Sequence, residues 1–176
     1  NYLVYRKNTK LFFLFSYKNY IFIWVFMLLY LRWGDKMRTL SDQEIVRREK
    51  SDEIRKYTNP YPERYETTNT LKDARTLEDG TTDVSVAGRI VFIRKMGKLS
   101  FIRIRDLEGD IQVQLKADTT DEKDYEFFKK LVDIGDFVGT KGEIITTQTG
   151  EKTLLAHTLT FLGKALKPLP EKFHGL

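Results

Sequence analysis

From Val84 to Leu162 apolar and polar residues alternate with a period of two, interrupted once by a stretch of helical spacing. Successive side chains of a strand point to opposite faces, so this alternation predicts strands with one buried face. The first strand runs from Val84 to about Met96. It is apolar on both faces around Ile90–Ile93, as suits a bending strand, and Gly88 is a candidate bend point. Met96-Gly97-Lys98 turns into a second strand, Leu99–Asp106. After Leu107-Glu108-Gly109 a third strand covers Asp110–Lys116. Residues 121–133 (DEKDYEFFKKLVD) then set Tyr125, Phe128 and Leu131/Val132 on one side at helical spacing, and Gly135 ends the helix. A fourth strand, Phe137–Thr147, turns at Thr149-Gly150 into a fifth, Lys152–Leu162.

Upstream the pattern differs. Ser41-Asp42-Gln43-Glu44 is a capping box, with Ser at the N-cap and Glu three residues on. It opens a charged helix that reaches about Tyr57. Its few apolar residues, Ile45, Val46, Ile54 and Tyr57, leave it mostly solvated and docked by a narrow stripe. Asn59-Pro60-Tyr61-Pro62 stops it, because proline cannot continue a helix and restricts its predecessor. Residues 63–83 read as a connector with a short helix around Leu71–Leu77. The order predicts a mainly β fold: a five-stranded Greek-key OB-fold barrel with a helix between strands three and four, preceded by an N-terminal α-helix. Another small barrel with a capping helix fits the same order.

Residues 1–36 form an apolar leader of ambiguous status. Its segment 11–31, LFFLFSYKNYIFIWVFMLLYL, has the length of a membrane span, which needs about 20 apolar residues. Lys18 and Asn19 interrupt it, and a charge at mid-span costs roughly 2.5–3.5 kcal/mol. Basic residues flank both sides, and no small-residue cleavage site follows. Three readings stay open: translated sequence upstream of a start at Met37, a membrane anchor, or a processed signal.

The leader also carries the net charge of +5, with six lysines and arginines against one aspartate. From residue 37 onward 24 basic residues meet 24 acidic ones, so a nucleic-acid argument must rest on local charge. Between Val84 and Arg105 there are six basic residues (Arg89, Arg94, Lys95, Lys98, Arg103, Arg105) and no acid. The absence of cysteine excludes disulfides and cysteine-ligated metals, and fits a reducing compartment.

Alternation sorts the barrel's side chains. Ile102 and Ile104 share one face with the Ile111, Val113 and Leu115 set, which must be the interior. Phe101 falls on the other face, among Arg103, Arg105, Gln112 and Gln114. An exposed aromatic flanked by cations and amides suits unpaired bases: the ring stacks, amides read the base edge and cations meet phosphates. OB-folds bind oligonucleotides on strands two and three and on the loops joining strands one–two and four–five. Cover by the N-terminal helix, with the arginines as a solvated face, would give the same pattern. His157 and His174 have no metal or nucleophile partner in sequence, and His157 reads as a barrel side chain.

Several segments resemble one family in order: VAGRI at 86–90, RKMGK at 94–98, SFIRIRD at 100–106, GDIQVQL at 109–115, FFKKLVDIGDFVG at 127–139, TQTGE at 147–151 and KALKPLPEKFHGL at 164–176. RREK at 47–50 and NPYP at 59–62 fit the leading helix. The family is the bacterial-type class II lysine–tRNA ligase, in its N-terminal anticodon-binding domain. The aspartate and asparagine ligases share the barrel, but the tail KALKPLPEKFHGL argues for the lysine enzyme. The resemblance implies that Phe101 stacks on the central anticodon uridine, that Gln112 and Arg94 contact the same base, and that Glu151 contacts the anticodon. Arg89 sits at a shared arginine position, and Arg103 joins the set from its place on the face.

The implied organisation is 1–36 leader, 37–83 helix and connector, 84–163 OB-fold anticodon-binding domain, and 164–176 linker toward a catalytic domain. None of that domain's three motifs occurs in the chain, so no catalytic residue and no metal site is expected and the chain alone should acylate nothing. ATP and magnesium, a homodimer and a cytoplasmic location are implied for the full-length enzyme. Lysine tRNA, through its anticodon loop, is the implied partner. A free-standing binder of single-stranded nucleic acid is the alternative.

Overall fold

The computed structural model describes residues 40–168, so expectations for the leader and for the segment after residue 168 fall outside the described residues. Helix α1 spans Asp42–Ile54 and helix α2 spans Leu71–Ala74. Strands β1 (Val84–Met96), β2 (Leu99–Arg105) and β3 (Asp110–Lys116) follow. Helix α3 (Glu122–Leu131) precedes β4 (Phe137–Thr146) and β5 (Lys152–Gly163). The strands close into a barrel in the order β1-β2-β3-β5-β4. All neighbours are antiparallel except β3 and β5, which pair in parallel through Gln112–Thr153 to Gln114–Leu155.

The interior follows the alternation. Ile102, Ile104, Ile111, Val113 and Leu115 are buried, with Ile90, Ile144 and Leu154 from the other strands. Burying a side chain of this size contributes about 1.5–3 kcal/mol, so this layer fixes the register of β2 and β3. Helix α3 adds Tyr125, Phe128 and Leu131 to the same core. Asp121 caps α3 by accepting from the Lys123 and Asp124 amides at 2.9 and 3.2 Å.

β1 carries a bulge at Val91, where the pairing jumps from Ile90–Ile104 to Phe92–Arg103. Gly88 lies close to the Arg105 backbone, where a Cβ would meet the carbonyl oxygen at 3.0 Å. One expectation about local structure changes. Helix α1 starts at the predicted capping box, with both reciprocal hydrogen bonds formed. It does not dock by an apolar stripe, because Ile45, Val46 and Tyr57 stay exposed and only Ile54 of the four is buried.

Polar contacts do that docking. Arg47 donates to the carbonyls of Ala165 and Ile134, both at 2.9 Å, and Lys50 pairs with Asp133 at 2.7 Å. Buried Lys164 bonds Asp133 at 2.7 Å, Asp136 at 2.8 Å and the Leu131 carbonyl at 2.7 Å. This cluster ties α1, the corner between α3 and β4, and the segment leaving β5 into one unit.

Candidate nucleic-acid interface

The outward face of β1, β2 and β3 is built from cross-strand rows. One row is Arg94–Phe101–Gln114 and the next is Phe92–Arg103–Gln112, which continues to Thr153 of β5. A third is Arg89–Arg105–Asp110. Phe101 is half-buried on this face, and Gln112 lies diagonally from it on β3, within reach of one base. Gln114 shares the face but is nearly covered, at 7% exposure.

Gln112 donates its amide to the Thr153 hydroxyl at 3.0 Å. The amide nitrogen is thereby fixed, and the carbonyl oxygen is left to accept. Arg94 is exposed and has no partner among the described residues, as have Lys98 in the β1–β2 turn and Lys116 at the end of β3.

Glu151 comes from the turn between β4 and β5. The Gly150 amide donates to the Thr147 carbonyl at 2.8 Å, and Gly150 has a φ of 79°, a left-handed conformation natural to glycine. The Glu151 amide donates to the Thr147 hydroxyl at 3.2 Å. The turn is thus held at both ends and delivers the carboxylate to the face. There Arg103 donates to Glu151 at 2.8 Å and to Asp110 at 3.1 Å. Burial disfavours the Arg103 charge, but the two carboxylates more than offset it and raise its pKa. Burial likewise pushes Asp110 up, yet hydrogen bonds from Arg105 and Arg103 hold it below the usual carboxylate range.

The basic cluster therefore divides. Arg103 and Arg105 are neutralised by Asp110 and Glu151. Lys95 faces away and donates to the Lys129, Phe128 and Val132 carbonyls at 2.8, 3.3 and 3.4 Å, satisfying the end of α3. Arg89 sits at the rim, where its Nε donates to the Gly135 carbonyl at 3.0 Å and its guanidinium lies 5.5 Å from the Phe137 ring centre. Phe101, Gln112, Arg94, Arg103 and Glu151 share one surface, and Arg89 lies at its rim with its guanidinium turned toward Gly135 and Phe137.

The sequence reading missed Phe92. The Val91 bulge turns it outward beside Arg103, 51% exposed. Regular alternation from Ile90 would have put it inside, and only the run of apolar residues 90–93 hinted at a break.

Among the described residues no group of three or more histidines or acids could hold a metal ion, and no helix is long and apolar enough to cross a membrane. His157 lies on a barrel strand, exposed.

Residues 84–162 match the family described as the OB-fold nucleic acid binding domain. The lysine–tRNA ligase of Streptococcus pneumoniae is 43% identical over 152 residues, covering 81% of this chain. Those of Streptococcus mutans and Streptococcus agalactiae are each 42% identical over 147 residues. The chain spans about 30% of the length of these curated relatives. Residues 84–162 are an OB-fold nucleic-acid-binding domain, and the chain that carries them is a homologue of the lysine–tRNA ligases.

Proposed function

We propose that this domain reads the anticodon loop of lysine tRNA. The observation that carries the proposal is the placement of Phe101, Gln112, Arg94 and Glu151 on one outward surface of a barrel whose relatives are lysine–tRNA ligases. The half-exposed Phe101 ring would stack on the central base. Gln112 would read its edge. With its amide nitrogen on Thr153, its free carbonyl accepts from the N3–H of uridine. Cytidine presents a lone pair at N3 and would repel that oxygen. Arg94, unpaired, supplies a donor to a uridine carbonyl. Glu151 keeps one carboxylate oxygen on Arg103 and offers the other to a base N–H.

In this reading the domain binds and orients the tRNA in the cytoplasm, and aminoacylation belongs to a catalytic domain of the kind the full-length enzymes carry, acting in a homodimer. ATP and magnesium would serve that catalytic domain.

The test is a titration of the full chain with lysine anticodon stem-loops carrying uridine or cytidine at the central position. Wild type should prefer uridine, and Gln112→Ala should lose most of that preference while still binding. Equal affinity of wild type for the two loops would refute base reading and favour a binder of single strands without base preference.

A further inference from the structure

We propose that Phe92 forms a second stacking site, which takes the unpaired base next to the one held by Phe101. The proposal rests on the anticodon-loop reading and deepens it. The Val91 bulge is what creates the site. It shifts the alternation by one residue, so that Ile90 and Ile93 both face the core and the Phe92 ring lies outside. Leaving a phenyl ring 51% exposed forgoes part of the stabilisation that burial would give it.

The surroundings keep this ring available. Arg103 is the residue directly across from it on β2. An arginine in that place could lie over the ring and close it. Here the Arg103 guanidinium is drawn toward β3 and the β4–β5 turn by Asp110 at 3.1 Å and Glu151 at 2.8 Å. Among the described residues no cation and no other ring is stacked on Phe92. The carboxylates of Asp110 and Glu151 thereby hold open a face that Arg103 would otherwise cover.

The spacing suits two bases of one strand. Phe92 is diagonal to Phe101 across the β1–β2 pair, a separation of about 7–8 Å between the backbones. That matches the step between neighbouring nucleotides whose bases have been unstacked and splayed onto a protein. Arg94 lies between the two aromatics on the β1 edge, two residues from Phe92 and opposite Phe101; its forked guanidinium could give one N–H to the base carbonyl and another to the phosphate joining the two nucleotides.

The experiment compares the full chain with its Phe92→Ala, Phe92→Tyr and Phe101→Ala variants against a lysine anticodon stem-loop. The loop is used intact and with an abasic site at the central nucleotide or at either anticodon neighbour. Phe92→Ala should weaken binding to the intact loop by about 5- to 150-fold, the range for losing one base stack. Phe92→Tyr should retain affinity. The loss in Phe92→Ala should vanish with one neighbouring abasic site and persist with the central one. If Phe101→Ala weakens binding and Phe92→Ala does not, the second site is refuted and the interface stands. A loss in Phe92→Ala that no neighbouring abasic site removes refutes it as well, since that is the signature of a structural role. If neither variant weakens binding, the anticodon reading itself fails and takes this site with it.

Discussion

At the residue scale, a side chain's use here depends on its partners more than on its charge. Arg103 and Arg94 are both arginines on one face, yet Arg103 is bound to two carboxylates and Arg94 is open. Lys95 makes the point most sharply. It belongs to the basic run 89–105, but its ammonium closes the end of α3 and lies 4.9 Å from the Phe128 ring centre. Burial pulls its pKa below the usual lysine value, with Asp133 opposing. Lys95→Ala should therefore lower stability by about 1–2 kcal/mol in urea unfolding and leave RNA affinity unchanged. Reduced affinity at full stability would return Lys95 to the binding face. The common face of Phe101 and Gln112 could be read from alternation, because both lie on regular stretches of strand. The roles of Lys95, Arg103 and Phe92 could not. Their partners lie 34 and 48 residues away for the first two, and a bulge reverses the third.

At the element scale, the five strands fall within one residue of where the period of two puts them, since buried branched side chains dictate both register and length. Helix α1 was harder to read. Its start is local chemistry, the capping box, and its docking is not, because it rests on a long-range ion pair from Lys50 to Asp133 and on hydrogen bonds from Arg47 to the Ile134 and Ala165 carbonyls. Burial pushes the Asp133 carboxyl up, but hydrogen bonds from Lys164 and Lys50 bring it below its ordinary value. A carboxylate depressed in the folded state contributes stability at neutral pH, and that contribution is lost as pH falls below about 4. The adjacent Asp136 works in the opposite sense, since burial raises it. Asp133→Asn should cost about 1–3 kcal/mol at neutral pH, less than for a fully buried pair because Asp133 is 24% exposed. It should also flatten the acid limb of the stability curve. An acid limb as steep as that of wild type would show that Asp133 is not the group that titrates.

At the scale of the whole molecule, net charge is a poor guide to the binding surface. The chain's positive balance resides in residues 1–36, and the barrel's own basic run is largely consumed by internal partners. Among the described residues, only Arg94, Lys98 and Lys116 remain free near the face. Each phosphate neutralised on a single strand contributes about 0.7 to the salt slope, so log K against log salt should fall with a slope of about −2. With Arg103, Arg105, Lys95 and Arg89 released as well, seven free cations would give about −5 instead. A slope near that value would mean that the internal pairs of Arg103, Arg105, Lys95 and Arg89 open on binding. The parallel closure of β3 on β5, which completes the barrel, was foreseeable only from the order of the elements.

The central claim is that the Phe101 face holds the middle base of the anticodon. The most direct measurement is a double-mutant cycle at fixed salt, pairing wild type and Phe101→Ala with an intact stem-loop and with one abasic at the central position. Phe101→Ala should weaken binding to the intact loop by about 1–3 kcal/mol and have no further effect once the central base is gone. An undiminished loss on the abasic loop, or no loss on the intact one, would contradict the account.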